Sequence, residues 1–188
     1  AKGYTKYLST TAVYCNDRTY TVSGSDTNFG AYTRLRTNKT PSYDCAATED
    51  KFTADTSTGN GLDHPIALMT ADEVSFAGGI SGNNNANAWY FRNAKEGTLT
   101  TSSSSTDASY SSTGSTFWWL LSPRNWDGSG ASVFYVYGSA HPGYLSYSYV
   151  HITGGVRPAI SLKSCALYST GDGSASDPYT IKETTSGC

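Results

Sequence analysis

The chain is poor in charge: 15% of its 188 residues are Asp, Glu, Lys or Arg, against roughly 25% in an average soluble protein. A formal net charge of −2 supplies no basic face, so neither nucleic acid nor an anionic membrane surface is expected as a partner. The longest wholly apolar run, Phe117-Trp118-Trp119-Leu120-Leu121, falls far short of the ~20 residues of a spanning helix. No membrane insertion by this segment is expected. There is one Met, and Leu, Glu and Lys are scarce, so little helix is expected. The cysteines contain no C-x-x-C pair and the histidines His64, His141 and His151 are scattered. A zinc site is therefore not expected, and no other cofactor is implied. No G-x-S-x-G elbow occurs, and in so serine-rich a chain His141 and His151 flank Ser by coincidence, so the chain is not read as an enzyme. It begins at Ala1 without Met or a signal peptide, so a processed or trimmed piece of something longer is expected.

What is abundant is hydroxyl and ring: 27 Ser, 25 Thr, 15 Tyr and 19 Gly, with 13% aromatic residues. The rings give enough apolar area for a core, which argues against disorder. Ser, Thr, Tyr and Gly favour strands and turns. An α+β domain is expected over residues 1–188, with short antiparallel strands, one or two short helices and much irregular loop. A surface rich in Tyr, Ser and Gly but poor in Lys and Glu is typical of secreted proteins and of binding surfaces. Four cysteines, Cys15, Cys45, Cys165 and Cys188, allow three pairings. The sequence-local choice is Cys15–Cys45 with Cys165–Cys188, each bond worth ~3–4 kcal/mol in the chain-entropy model. Disulfides imply an oxidising, extracellular compartment.

Along the chain, residues 1–63 form a polar N-terminal part in which Tyr14-Cys15 reads as a strand end before a turn. Asn38-Lys39-Thr40 is formally a glycosylation acceptor. His64-Pro65-Ile66-Ala67-Leu68-Met69 reads as a short strand. Thr70-Ala71-Asp72-Glu73 is a capping box opening a two-turn helix that Gly78-Gly79 ends. Capping accounts for Glu73 without a catalytic role. Residues 98–116 form a Ser/Thr-rich surface loop or insertion.

Residues 117–162 are the most informative. Phe117 to Leu121 reads as a buried strand ended by Pro123. From Gly128 to Val156 there is no charged residue, and Arg124 to Gly154 holds five Tyr, five Ser and five Gly. Alternation fails between Val133 and Val136 and again between Leu145 and Val150, which predicts bulges or loops rather than a plain hairpin. Val156 to Leu162 alternates cleanly and is expected as a strand with Pro158 at an edge or bulge. The 124–154 chemistry resembles a paratope: Tyr offers large amphipathic area with few torsions to freeze, and Ser and Gly offer adaptable hydrogen bonds. Composition alone equally allows a Tyr-rich strand pair that simply covers a small core.

Trp118-Trp119-Leu120-Leu121-Ser122-Pro123, Trp126, then Ala131, Val133, Val136, Gly143, Leu145 and Val150, closing on Gly155-Val156-Arg157-Pro158-Ala159-Ile160-Ser161-Leu162, resemble C-type-lectin-fold domains of bacterial and phage surface proteins. The upstream Tyr14 to Arg18, Pro65 to Val74 and Gly171 to Tyr179 stretches fit the same group. The subclass is similar to that of the formylglycine-generating enzymes and of the variable proteins of diversity-generating retroelements. The resemblance implies a C-type lectin fold and, over 117–162, a variable-region-like ligand-binding segment open to diversification. It departs from the enzyme relatives in having no Cys between Trp118 and Leu162. It departs from the calcium lectins in offering only Asn125-Trp126-Asp127, and Asp172 and Asp177 lack the clustered oxygens a hard cation needs.

The expected function is therefore that of an extracellular adhesin- or receptor-type module. It would act as a monomer on a cell or virion surface, with a protein ligand on another cell or a phage host. Arg124, Asp127, Ser129, Ser132 and Phe134 are candidate contacts from its first half. Tyr137, Ser139, His141, Tyr144 and Ser146 follow, then Tyr149, His151 and Thr153. Val133, Val136, Leu145 and Val150 are assigned to scaffold, and Arg157 to a buried ion pair or backbone bonds. A structural pilus or surface-fibre subunit is the alternative, and a formylglycine-generating-like enzyme a more remote one.

Overall fold

The computed structural model describes residues 3–55, 57, 60–83, 117–138, 141–172, 177 and 179–188. The 98–116 stretch and Ser139 lie outside them. The described chain is α+β, built mainly of strands with short helical pieces and long irregular connections. In chain order the strands are β1 (Tyr14–Cys15), β2 (Tyr20–Ser23), β3 (Asp26–Phe29), β4 (Lys51–Thr53), β5 (Asn60–Gly61), β6 (Ile66–Leu68) and β7 (Ile80–Ser81). They continue as β8 (Phe117–Trp126), β9 (Ala131–Tyr137), β10 (Tyr144–Tyr149), β11 (Pro158–Ile160), β12 (Tyr168–Thr170) and β13 (Thr180–Ile181). Helix α1 (Gly30–Tyr32) runs on into a π-helical segment, Thr33–Asn38, and α2 spans Ala71–Phe76.

A six-stranded sheet of order β2-β3-β8-β9-β10-β7 organises the molecule. β9 and β10 pair antiparallel in unbroken register from Ser132↔Tyr149 to Val136↔Leu145. The bulges expected here from failed alternation do not form. The cause is that both faces of the hairpin are covered, so burial does not alternate: Phe134, Tyr135 and Val136 are all buried. The irregularity lies one strand away, between β8 and β9, where the register shifts on either side of Pro123. Pro123 therefore does not end the strand. It sits at a bulge, where its missing N–H is tolerated, and β8 continues to Trp126.

Paired residues share a face, which assigns the two sides. Trp118, Val136 and Leu145 form one row, and Phe134 another with Leu120 nearby. With Ala31, Leu35, Ala71 and Val74 from the helical pieces they make the core. On the opposite face Phe117, Trp119 and Tyr135 meet ring to ring, with centroids 4.3 Å apart for Phe117–Tyr135 and 5.3 Å for Phe117–Trp119. Gly154 lies against these rings: a Cβ there would come within 2.5 Å of Phe117 and 2.8 Å of Trp119 Nε1.

Helix α2 forms for the reason its sequence gives. The Thr70 hydroxyl accepts from the Glu73 N–H at 3.0 Å, and the Glu73 carboxylate accepts from the Thr70 N–H at 2.7 Å. The chain turns out at Gly78, with φ 95°. The π-helical segment was not expected. It is held by tertiary contacts, with Leu35 in the core and Arg34 ion-paired to Asp72 and Asp17. β11 pairs antiparallel with β6 in a two-stranded ribbon, where Pro158 faces Leu68.

Cys15–Cys45 and Cys165–Cys188 are both bonded. The second lies near the place where the chain's two ends meet, the buried Tyr7 hydroxyl accepting from the Thr184 N–H at 2.6 Å. No helix among the described residues is long and apolar enough to cross a membrane. Both features are compatible with a secreted protein.

Candidate binding surface

The turn between β8 and β9 anchors one end of the surface. Asp127 Oδ1 accepts from the Ser129 N–H (3.0 Å), the Ser129 hydroxyl (2.8 Å) and the Gly130 N–H (2.9 Å). Oδ2 accepts from the Tyr149 hydroxyl across the hairpin. The Tyr149 hydroxyl and the Ser129 and Gly130 donors hold the Asp127 carboxyl well below the usual carboxylate range, and the same bond to Asp127 pushes the Tyr149 phenol up. Gly130 makes room for the ring: a Cβ there would lie 2.8 Å from Tyr149 Cδ1. Tyr149 then stacks on His151, with centroids 5.7 Å apart and planes 10° apart.

Arg124 on β8 is held between two rings. Its guanidinium carbon lies 3.5 Å from the Tyr147 centroid and 4.7 Å from that of Tyr32. Such cation–π contacts are worth about 2 kcal/mol when desolvated. Burial pulls Arg124 below its ordinary value, and neighbouring Arg36 pushes the same way against the opposing influence of Tyr147, Tyr32 and Asp26. At the other end of the hairpin Tyr137 and Tyr144 stack with planes 2° apart. Behind them burial pushes the Tyr135 hydroxyl up to about 12.

The expected contacts therefore divide. Ser129, Tyr149, His151 and Thr153 are exposed, while Arg124, Asp127, Tyr137, His141, Tyr144 and Ser146 are half-buried. Two are corrected: Phe134, 2% exposed, belongs to the core, and Ser132, 3% exposed, bonds inward to Asn125. Each sits on the core face of β9. Val150, assigned to scaffold, lies past the end of β10 and is exposed. Sequence reasoning missed Trp126, Tyr147 and Ile152, which are also exposed. Tyr147 shares Phe134's face but sits over Arg124 rather than in the core. The signal was available for Tyr147, a ring inside the uncharged span, and for Trp126, a ring just ahead of it. Arg157, expected in a buried ion pair or backbone bonds, has its guanidinium over a ring, 3.7 Å from the centre of Trp118.

Trp126, Ala131 and Val150 lie side by side at this end of the sheet, linked by the Trp126↔Ala131 pairing and the Val150 N–H donating to the Ala131 carbonyl. The surface thus presents rings and apolar side chains on both faces of one rigid strand end. Among the described residues no group of three or more His, Cys, Asp or Glu side chains could hold a metal.

A family model matches residues 33–164, the span that carries α2, the central strands and this surface. The chain belongs to the DUF6273 family, a domain of unknown function. No curated protein and no solved structure matches it. The DUF6273 span takes in Arg34, Arg36, Arg124 and Tyr149, and leaves both ends of the chain outside.

Proposed function

We propose that this DUF6273 chain is an extracellular ligand-binding module, adhesin- or receptor-like, that presents the strand end around Trp126, Tyr147, Tyr149 and His151 to a protein partner. The observation that carries the reading is the division of β10. Leu145 is locked in the core, yet two and four residues on, Tyr147 and Tyr149 are 48% and 38% exposed and held in place by Arg124 and Asp127. Rings fixed before binding lose little entropy on contact, and exposed aromatics on a rigid frame are where binding energy concentrates. A C-type lectin fold of the retroelement-variable kind agrees with the α+β architecture, with the meeting of the chain's ends at Tyr7 and Thr184, and with the exposure of Tyr147, Tyr149 and His151. Extracellular placement agrees with the two disulfides.

The test is capture on an array of surface proteins, run with the native chain and with a Trp126→Ala/Tyr149→Ser variant that keeps the native circular dichroism. Saturable capture that the variant loses is the expected result. Identical capture by both would place the binding surface elsewhere.

A further inference from the structure

The hairpin at the outer edge of the main sheet leaves part of its backbone unpaired. β2 stands first in the order β2-β3-β8-β9-β10-β7, with β3 on one side and no strand on the other. Ser23 and Asp26 pair across the turn Gly24-Ser25, with Gly24 at φ 63°. The closing pair of such a tight turn exchanges both of its hydrogen bonds, and bonded and non-bonded pairs alternate from there. Thr21 and Thr19 therefore face β3, and the Thr19 carbonyl does accept from the Gly30 N–H at 2.7 Å. Tyr20 and Val22 form the non-bonded pairs, so their N–H and C=O groups point away from the sheet. Among the described residues no backbone group bonds to them. The open stretch begins after Arg18, whose N–H is taken by Asp50 Oδ2 at 3.0 Å.

Outward N–H and C=O groups along an extended strand are complemented by another extended backbone. Natural sheet edges are blunted by Lys, Pro, a bulge or a covering segment. No charged residue and no Pro occurs from Thr19 to Ser25. The register from Tyr20↔Phe29 to Ser23↔Asp26 is unbroken, and all four residues of β2 are exposed. The edge is also self-complementary. On a second copy laid antiparallel about a two-fold axis at Thr21, Tyr20 of each copy stands opposite Val22 of the other, and every outward group meets a partner. A ring opposite a β-branched side chain is a favourable cross-strand pair. With no charge in the strand, the symmetric contact sets no like charges of β2 against each other.

We propose that two copies of this chain pair through the β2 edge into one continuous sheet, in place of the monomer expected from the sequence. The contact is small, so the dimer is weak, with a dissociation constant between about 1 µM and about 1 mM. Val22, Thr27, Trp126 and Ala131 form one row across four strands. Paired residues share a face, so the dimer presents both Trp126 rings on the same side of the sheet. It then engages a partner that repeats its epitope with higher avidity than one copy does.

The test is sedimentation velocity from about 1 µM to about 1 mM, run on the native chain, V22K and Y168K. Val22 and Tyr168 are both exposed on strands, each substitution adds the same charge, and circular dichroism checks each fold. The native chain should pass from one copy to two as concentration rises. V22K should weaken the association at least about tenfold, and Y168K should leave it unchanged. T21C supplies a second measure: Thr21 meets itself at the axis in a non-bonded pair, with Cα atoms about 4.5 Å apart, within disulfide reach. Mild oxidation should link T21C into a covalent dimer, and adding V22K should suppress the link. One-copy mass at every concentration, growth beyond two copies, equal weakening in V22K and Y168K, native association in folded V22K, or no covalent dimer from T21C would overturn the proposal. No ligand enters the experiment, so each of those results leaves the protein-binding reading standing.

Discussion

The Arg34 guanidinium grips the buried Asp72 carboxylate through two parallel hydrogen bonds, Nε to Oδ1 at 2.9 Å and Nη2 to Oδ2 at 2.8 Å. Its remaining nitrogen reaches Asp17. One side chain on the π-helical segment thus ties down the N-terminus of α2 and the loop ahead of β2. The bonds to Asp72 raise the Arg34 pKa, outweighing the opposite effect of burial, so the group is charged throughout the accessible range.

Replacing Arg34 by Met should therefore destabilise the fold by about 3 kcal/mol, because it strands a buried carboxylate rather than merely removing a contact. Urea melts of R34M and of R34M/D72N check this. The double variant should recover part of the loss, and equal midpoints for R34M and the native chain would contradict the role.

Acid should unfold the chain from a defined direction. Burial alone would raise Asp17, but hydrogen bonds from Thr19 and Arg34 outweigh it and lower the carboxyl; Asp127 is lowered by Tyr149, Ser129 and Gly130. A carboxylate depressed in the folded state stabilises it above the unfolded value of about 4, and that contribution is lost as pH falls through the folded value. The Tm should be flat near neutrality and drop below about pH 4. D127N should show a lower neutral Tm and a shallower acid drop. A native Tm that rises on acidification would contradict the assignment.

The disulfides close separations of 30 and 23 residues. Removing Cys15–Cys45 with paired Ala substitutions should cost about 3 kcal/mol, read from the denaturation midpoint. The native chain should take up no maleimide until it is reduced. Labelling of the unreduced, folded chain would show that the bonds are not made.

Stability should separate the rings. Phe134→Ala empties a core site and should cost about 3–5 kcal/mol. Tyr149→Ser removes an exposed ring and should cost under about 1 kcal/mol. Tyr137→Ala and Tyr144→Ala, which break a half-buried stack, should fall between. Thermal melts of the four variants give the order, and a Tyr149 variant as damaged as the Phe134 variant would place that ring in the core.

Local features were legible in the sequence because local chemistry decides them. Thr70 and Glu73 cap α2 through atoms three residues apart, and the two disulfides join cysteines near in sequence. Features set by what lies across the fold were not. Thr33 to Asn38 is helical because Leu35 finds the core and Arg34 finds Asp72, and neither partner is visible from the segment. Pro123 looks like a strand end, yet a shift in register against β9 absorbs it. At the candidate surface, strand parity would have put Ser132 and Phe134 inside once β9 was known to pair regularly with β10. Taking the failed alternation as a bulge hid this: Val133 and Val136 stand three apart because they lie on opposite faces of a regular strand, and only Val136 joins the core.

The most direct test of the account compares affinities for one captured partner across two sets of exposed rings. Single Ala substitutions at Trp126, Tyr147 and Tyr149 are measured beside Tyr168 and Tyr179, which are as exposed but lie toward the C-terminus. At least one strand-end substitution should weaken binding by about tenfold or more, while both C-terminal substitutions leave it unchanged. Undiminished affinity at all three strand-end positions, or a loss confined to Tyr168 and Tyr179, would contradict it.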